Sequence, residues 1–206
     1  MDSERLYYQD SYLTRFDAAV VETRPAGDRF HVYLNRTAFY PASGGQPFDI
    51  GRIGGASVVE VIDQGERIAH VADAAVPPGP AACEIDWARR FDHMQQHTGQ
   101  HLLSAVFAEL LHHATVSFHL GAESSTIDLA TPQLSAAQME AVETRANALV
   151  FENRPVTVHF YSAAEAVSIG LRKPSDRAGE IRVVAIEGCD RSACGGTHVR
   201  ATGEIG

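Results

Sequence analysis

The sequence predicts an α+β protein: a small N-terminal β-barrel or sandwich over residues 1–86, then helices packed on an antiparallel sheet over 87–206. Three observations carry this reading. Before about residue 85, short strand-like runs (RFHVYL, SVVEVI, RIAHVA) alternate with turn residues, most densely in PASGGQPFDIGRIGG. A Pro/Gly cluster, VPPGPAA, follows and reads as a turn or linker at a domain boundary. Beyond it the apolar period becomes helical. A chain of 206 residues that is 45% apolar can bury cores of this kind.

Taken in order, the second half opens with a helix from about Asp86 to His113, interrupted by no Gly or Pro except Gly99. Leu102, Val106 and Leu110 recur at helical spacing, with Leu103 and Phe107 beside them, so this helix has a strong apolar face. A second helix starts at SAAQ, where Ser135 caps the backbone and Gln138 reaches back as its capping-box partner. Met139, Val142, Ala146, Leu149 and Val150 form its expected buried stripe, and it should stop near Asn153 because Pro155 forces Arg154 toward extended geometry. The runs STIDLA, VTVHFY and IRVVAIEG are expected to form one antiparallel sheet around the two helices.

A net charge of −9, from 17 basic and 26 acidic side chains, argues against a general nucleic-acid binder, because phosphates would on average be repelled. A local face can still hold phosphates, and Arg89, Arg90, Arg172, Lys173, Arg177, Arg182, Arg191 and Arg200 are the candidates. No apolar run of about 18 residues is present to span a bilayer, and MDSERLYYQDSYL lacks the plan of a signal peptide. A cytoplasmic protein without a membrane partner is expected. Three cysteines form no disulfide framework, which leaves metal ligation or burial; Cys83 and Cys189 read as small buried apolar groups.

The chemistry concentrates in two segments. In HTGQH, His97 and His101 stand at i and i+4 on one helix face and can present both imidazoles to one ion. In CGGTH, Cys194 and His198 add a thiolate and an imidazole on a Gly-rich turn. Together they make a Cys/His₃ set that suits tetrahedral zinc. Four protein ligands usually mark a structural site and three a catalytic one, and the sequence leaves that choice open. Thr98, Gly99 and Gln100 occupy the places where HExxH would carry its general base, so zincin proteolysis is not expected. His93, one turn before His97, is a candidate supporting donor or alternative ligand. His112 and His113 suit the negative end of the first helix; His31, His70 and His159 read as ordinary strand residues.

The stretches HTGQHLLSAVF, SFHLGAESSTIDL, ENRPV and VVAIEGCDRSACGGTHVRATGEIG resemble the editing domain of alanyl-tRNA synthetases and their free-standing AlaX relatives. TAFYPASGGQPFDIGRI is similar to the Gly-rich segment those proteins carry in a preceding small β-barrel, so the resemblance covers most of the chain. It implies a free-standing enzyme acting in trans, with no ATP requirement, that hydrolyses mischarged tRNA(Ala). Ser-tRNA(Ala) would be the chief substrate and Gly-tRNA(Ala) a second one. The resemblance assigns the zinc ligands to His97, His101, Cys194 and His198. Members of that family usually continue through further sheet and helix beyond ATGEIG, so either a short variant or a missing C-terminal segment is expected.

Serine differs from alanine by one hydroxyl, so a pocket that hydrogen-bonds this hydroxyl discriminates far better than an apolar one. Ser117, His119 and Gln100 are the expected polar side chains near the metal. Gly44, Gly45, Gln46 and Arg191 are the expected substrate-binding residues, although SGGQ also reads as a plain tight turn. Two other readings stay open at this point: a zinc hydrolase of another small ester or amide, and a zinc-stapled RNA-binding module.

Overall fold

Strand β1 (Glu4–Arg5), β2 (Arg15–Ala26), β3 (Arg29–Leu34), β4 (Arg36–Thr37), β5 (Gly51–Ile53), β6 (Ala56–Asp63), β7 (Ile68–Ala72) and β8 (Gly79–Ile85) build the first part of the protein. The structure, a computed structural model, describes residues 2–121, 124–131, 133–174 and 179–206. Six strands close a barrel in the order β2-β3-β7-β6-β5-β8, with β8 returning to β2, while β1 and β4 form a short parallel pair. Alternation supplies the core: Ala81, Cys83 and Ile85 point inward from β8, against Val20, Val32, Ile53 and Ile68. In β6 the inward set changes parity, from Val58 to Val61, because the register to β7 shifts between Val58 and Glu60.

Of the two readings of the Pro/Gly cluster, turn or linker, the fold takes the turn: it connects β7 to β8, the last strand of the barrel. From Gly79 the chain enters β8, and Ala81 and Cys83 of this run lie in the core. Pairing partners far along the chain, on β2 and β5, recruit it. Gly51 is required where β5 crosses β8, since a Cβ there would overlap the Glu84 carbonyl.

Asp49 and Arg90 are both fully buried and ion-paired. The Arg90 Nε lies 3.1 Å from both Asp49 oxygens, and its other nitrogens donate to the carbonyls of Ser11 (2.7 Å) and Ala38 (2.5 Å). The Tyr40 amide donates to Asp49 Oδ2 at 2.6 Å. Every charge here has an internal partner, the condition under which a buried pair is tolerated.

Helix α1 (Trp87–Leu111) opens on Asp86, whose carboxylate accepts from the Arg89 amide at 2.9 Å, and ends at His112, which takes a left-handed φ of 56°. The chain divides into two compact units, Met1–His93 and Met94–Gly206, inside this helix. The second unit continues with β9 (Thr115–Leu120), β10 (Ser125–Leu129), α2 (Ala136–Phe151), β11 (Val156–Ser162), α3 (Ala163–Ser168), β12 (Glu180–Ile186) and β13 (Asp190–Ala193). The capping box of α2 forms as expected, with Ser135 accepting from the Gln138 amide and Gln138 accepting from the Ser135 amide.

Where one sheet was expected, two form among the described residues: a β9-β10 hairpin and a β11-β12-β13 sheet. Both feed one core, where Leu102, Val106, Phe107, Val142, Leu149 and Ile186 are joined by Ile127 of the hairpin and Val156 of the sheet. The expected stripes are each one residue too long. Leu110 and Met139 are 41% and 47% exposed, because the core ends before these helix positions reach it. No described helix is long and apolar enough to cross a membrane.

Candidate metal centre

His97 and His101 stand one turn apart on α1, and the chain leaving β13 brings Cys194 and His198 to the same place. The ligand atoms of the four residues all lie within 4.8 Å of one another and are buried, with the Cys194 residue as a whole half-buried. Cys194 is anchored from both sides of its peptide: its amide donates to the Arg182 carbonyl at 3.0 Å, and Arg182 Nη1 donates to its carbonyl at 2.7 Å. Its sulfur lies 3.5 Å from His97 Nε2 and 3.3 Å from His198 Nε2. A zinc ion with sulfur at about 2.3 Å and nitrogen at about 2.0–2.1 Å sets tetrahedral S–N edges of about 3.5 Å, so the set has the dimensions of a zinc site.

The neighbours fix which nitrogen is available on His198 and on His101. Thr98 Oγ1 donates to the Met94 carbonyl at 2.8 Å, so toward His198 Nδ1, at 3.1 Å, it acts as acceptor; the Val199 amide donates to the same oxygen. His198 therefore carries its proton on Nδ1 and presents the Nε2 lone pair to the cluster. His101 Nδ1 is held by Asp190 Oδ2 at 3.0 Å. Asp190 is held in turn by Arg172 Nε at 2.8 Å and by the Ser192 hydroxyl at 2.9 Å. Such outer contacts orient a metal-binding imidazole and raise its basicity.

The charges of Cys194 and His198 agree with ligation, while His101 would give up a proton to a bound ion. Burial opposes ionisation of Cys194, but the His97, His198 and His101 rings beside it outweigh burial and hold its thiol well below the usual range. The thiolate is the ligating form. Burial also disfavours charge on His101, yet the Asp190 hydrogen bond lifts it to about 9; His198 is pushed down to about 3, mainly by burial. Asp190, despite its burial, is lowered to about 2 by His101 and Arg172.

The other expected site residues are placed as follows. Gln100 is buried on α1, with Nε2 donating to the Ser104 hydroxyl at 2.7 Å and Oε1 lacking a hydrogen-bond partner among the described residues. Ser117 donates to Asp128 across the β9-β10 hairpin, and His119 is exposed opposite Thr126. The intervening Phe118 is the β9 residue that meets the cluster, its ring 5.2 Å from that of His97. Gly44 and Gly45, at φ 56° and 85°, form a tight turn that Ser43 and Gln46 close with paired backbone hydrogen bonds; the Gln46 side chain is buried, in the N-terminal unit. Arg191 lies on the exposed side of β13 and donates to the Ile169 carbonyl at 3.0 Å. His93 also belongs to the N-terminal unit and is not among the four. His70 is a core residue of the barrel, held by the Thr37 hydroxyl and the Val32 carbonyl.

Several arginines named for phosphate binding are committed internally: Arg90 to Asp49, Arg172 to Asp190, Arg182 to Cys194. Arg177 lies outside the described residues. Sequence reasoning missed Asp190 and Phe118 altogether, and it missed the part that Thr98 and Arg172 play around the cluster. For Asp190 a signal existed: it precedes Cys194 by four residues along an extended segment, and a period of two puts both on one face.

Residues 181–206 match the family described as the threonyl and alanyl tRNA synthetase second additional domain. Across the chain, the alanyl-tRNA editing protein Aarsd1 of Danio rerio is 41% identical over 209 residues, covering 93% of this chain and 50% of that protein. Alanyl-tRNA editing protein AlaX-L of Pyrococcus horikoshii is 36% identical, covering 98% and 52%. Alanyl-tRNA editing protein AlaX-M of Methanosarcina acetivorans is 34% identical, covering 98% of this chain and 90% of that protein. The chain thus spans about half the length of the first two and nearly all of the third.

Proposed function

Since this chain belongs to the family of alanyl-tRNA editing proteins, we propose that it deacylates tRNA(Ala) mischarged with serine, and with glycine, releasing the free amino acid and intact tRNA in trans. The observation that carries this reading is the buried His97, His101, Cys194 and His198 cluster, with the donor chemistry and spacing of a zinc site. When bound, the ion would polarise the ester carbonyl, acidify a water or orient the aminoacyl group. An aminoacyl ester is already activated, so positioning contributes much of the remaining rate.

The chain's own residues supply that positioning. Asp190 and Thr98 hold the His101 and His198 rings, and Phe118 packs on the ring of His97 beside the ligands. Retention of alanine requires a polar contact to the seryl hydroxyl, for which Ser117, His119 and Gln100 are the proposed side chains. The Gly44–Gln46 turn and Arg191 are the proposed tRNA contacts. The action is that of a metal-dependent ester hydrolase serving translation fidelity in the cytoplasm.

The test is a paired deacylation assay on Ser-tRNA(Ala) and Ala-tRNA(Ala), with and without chelator. Serine should be released and alanine retained, and chelation should stop the reaction. His97→Ala should still bind tRNA but release neither amino acid. If the zinc-loaded wild type releases serine from no tRNA, the reading is wrong.

A further inference from the structure

The outer face of the barrel carries a groove of about 870 Å³, lined wholly by residues of the N-terminal unit. One cross-strand row runs along it: Arg15 on β2 faces Glu84 on β8, Glu84 faces Arg52 on β5, and Arg52 faces Ser57 on β6. These side chains point outward, because the adjoining Phe16, Cys83, Ile53 and Ala56 turn toward the core. The acidic groups of the groove are engaged. Glu84 is ion-paired with Arg15 at 2.6 Å, and the Asp86 carboxylate caps α1 through the Arg89 amide. Arg52 is not engaged: it is exposed and has no ion pair or hydrogen bond among the described residues. In a chain of net charge −9, a guanidinium left without a carboxylate is available to an anion from outside.

The same groove is lined by Trp87, the only tryptophan of the chain. The rings of Tyr12 and Phe91 lie 5.5 and 5.0 Å from its own and fix it in place, yet 42% of Trp87 stays exposed. An aromatic already held in position loses little freedom when a ligand packs on it. Guanidinium beside open indole is the pairing by which proteins hold single-stranded nucleic acid, the cation taking a phosphate and the ring a base. An acidic peptide would satisfy Arg52 but brings no flat group to Trp87. A row crossing four strands spans roughly 14 Å, room for more than one nucleotide. Resting on the deacylase reading above, we infer that this groove binds an unpaired strand of the substrate tRNA, with a base on Trp87 and a phosphate on Arg52. The barrel thereby contributes its own RNA contact, made by residues outside the metal-bearing unit.

The lone tryptophan makes the groove directly observable. Hexauridylate, an oligonucleotide without secondary structure, should quench the Trp87 emission of the zinc-loaded full chain as a base stacks on the indole. Inorganic polyphosphate of the same charge should leave that emission unchanged. Arg52→Gln, which breaks no internal contact, should lower the slope of log affinity against log salt by about 0.7, the value for one phosphate on a single strand. Trp87→Leu should weaken binding of end-labelled hexauridylate roughly 5- to 100-fold, and Trp87→Tyr should restore most of it. Uncharged tRNA(Ala) should displace the oligonucleotide. The inference is overturned if hexauridylate at up to about 1 mM, above the usual range of non-specific affinities, quenches nothing in wild type. It is also overturned if oligoglutamate quenches as strongly, which would mark a docking surface for an acidic protein segment, or if tRNA(Ala) does not compete. These wild-type comparisons need no variant to fold. Absence of any deacylation would refute the proposed function, while the titration would still decide whether the groove binds RNA.

Discussion

Asp49 and Arg90 in the N-terminal unit and the four-ligand cluster in the C-terminal unit are both buried polar groups, but they distribute their hydrogen bonds in opposite ways. The carboxylate and guanidinium pair with each other, and their remaining atoms are taken by the Tyr40 amide and the Ser11 and Ala38 carbonyls. In the cluster, Asp190 and Thr98 take the outer nitrogens of His101 and His198, and the Cys194 sulfur faces the Nε2 atoms of His97 and His198 across 3.5 and 3.3 Å. The first arrangement is closed on itself, and the second has the form of a coordination shell. Burial therefore does not separate scaffold from site here. What separates them is whether the donors and acceptors are consumed within the fold.

The largest expected break in this contrast comes from opening the closed pair. Asp49→Ala leaves Arg90 charged and dry, and should cost about 3–5 kcal/mol, read as a fall in the urea midpoint. The converse replacement of a buried pair by apolar groups would be far milder, so the effect belongs to the orphaned charge.

A second closed group in the barrel makes the contrast pH-dependent. Burial holds His70 down at about 4, against 6.5 for an exposed histidine. The unfolded chain thus binds this proton more readily than the folded one. The stability that neutral His70 permits is complete above pH 6.5 and is lost as the pH falls toward 4. The shift corresponds to on the order of 3 kcal/mol. Denaturation of wild type against His70→Gln across this window should show the slope in wild type and a flatter one in the variant.

On the open side, Asp190→Asn keeps the volume but weakens the hold on His101. Zinc affinity, measured by competition with a chromophoric chelator, should fall about 10–100-fold with the fold intact. Unchanged affinity would mean that Asp190 serves only to anchor Arg172 and Ser192. The smallest effect is expected outside both clusters. Arg191→Ala gives up one exposed contact to the Ile169 carbonyl and should leave stability within about 0.5 kcal/mol and metal content unaltered.

Much of this was legible in the sequence where the cause is local. Helical period and the Ser135 capping box defined α2, alternation defined most strands, and HTGQH with CGGTH pointed to the four side chains that the fold gathers. Those features depend on residues a few positions apart, which linear spacing reports directly. The tertiary structure decided the rest. It turned a Pro/Gly run into the end of a barrel, divided one expected sheet into two, and withdrew Arg90, Arg172 and Arg182 from the phosphate-binding candidates. It also supplied Asp190 to His101 and Thr98 to His198 across 89 and 100 residues. The spacing of a motif cannot encode those partners, because packing brings them together only after the elements that carry them have formed.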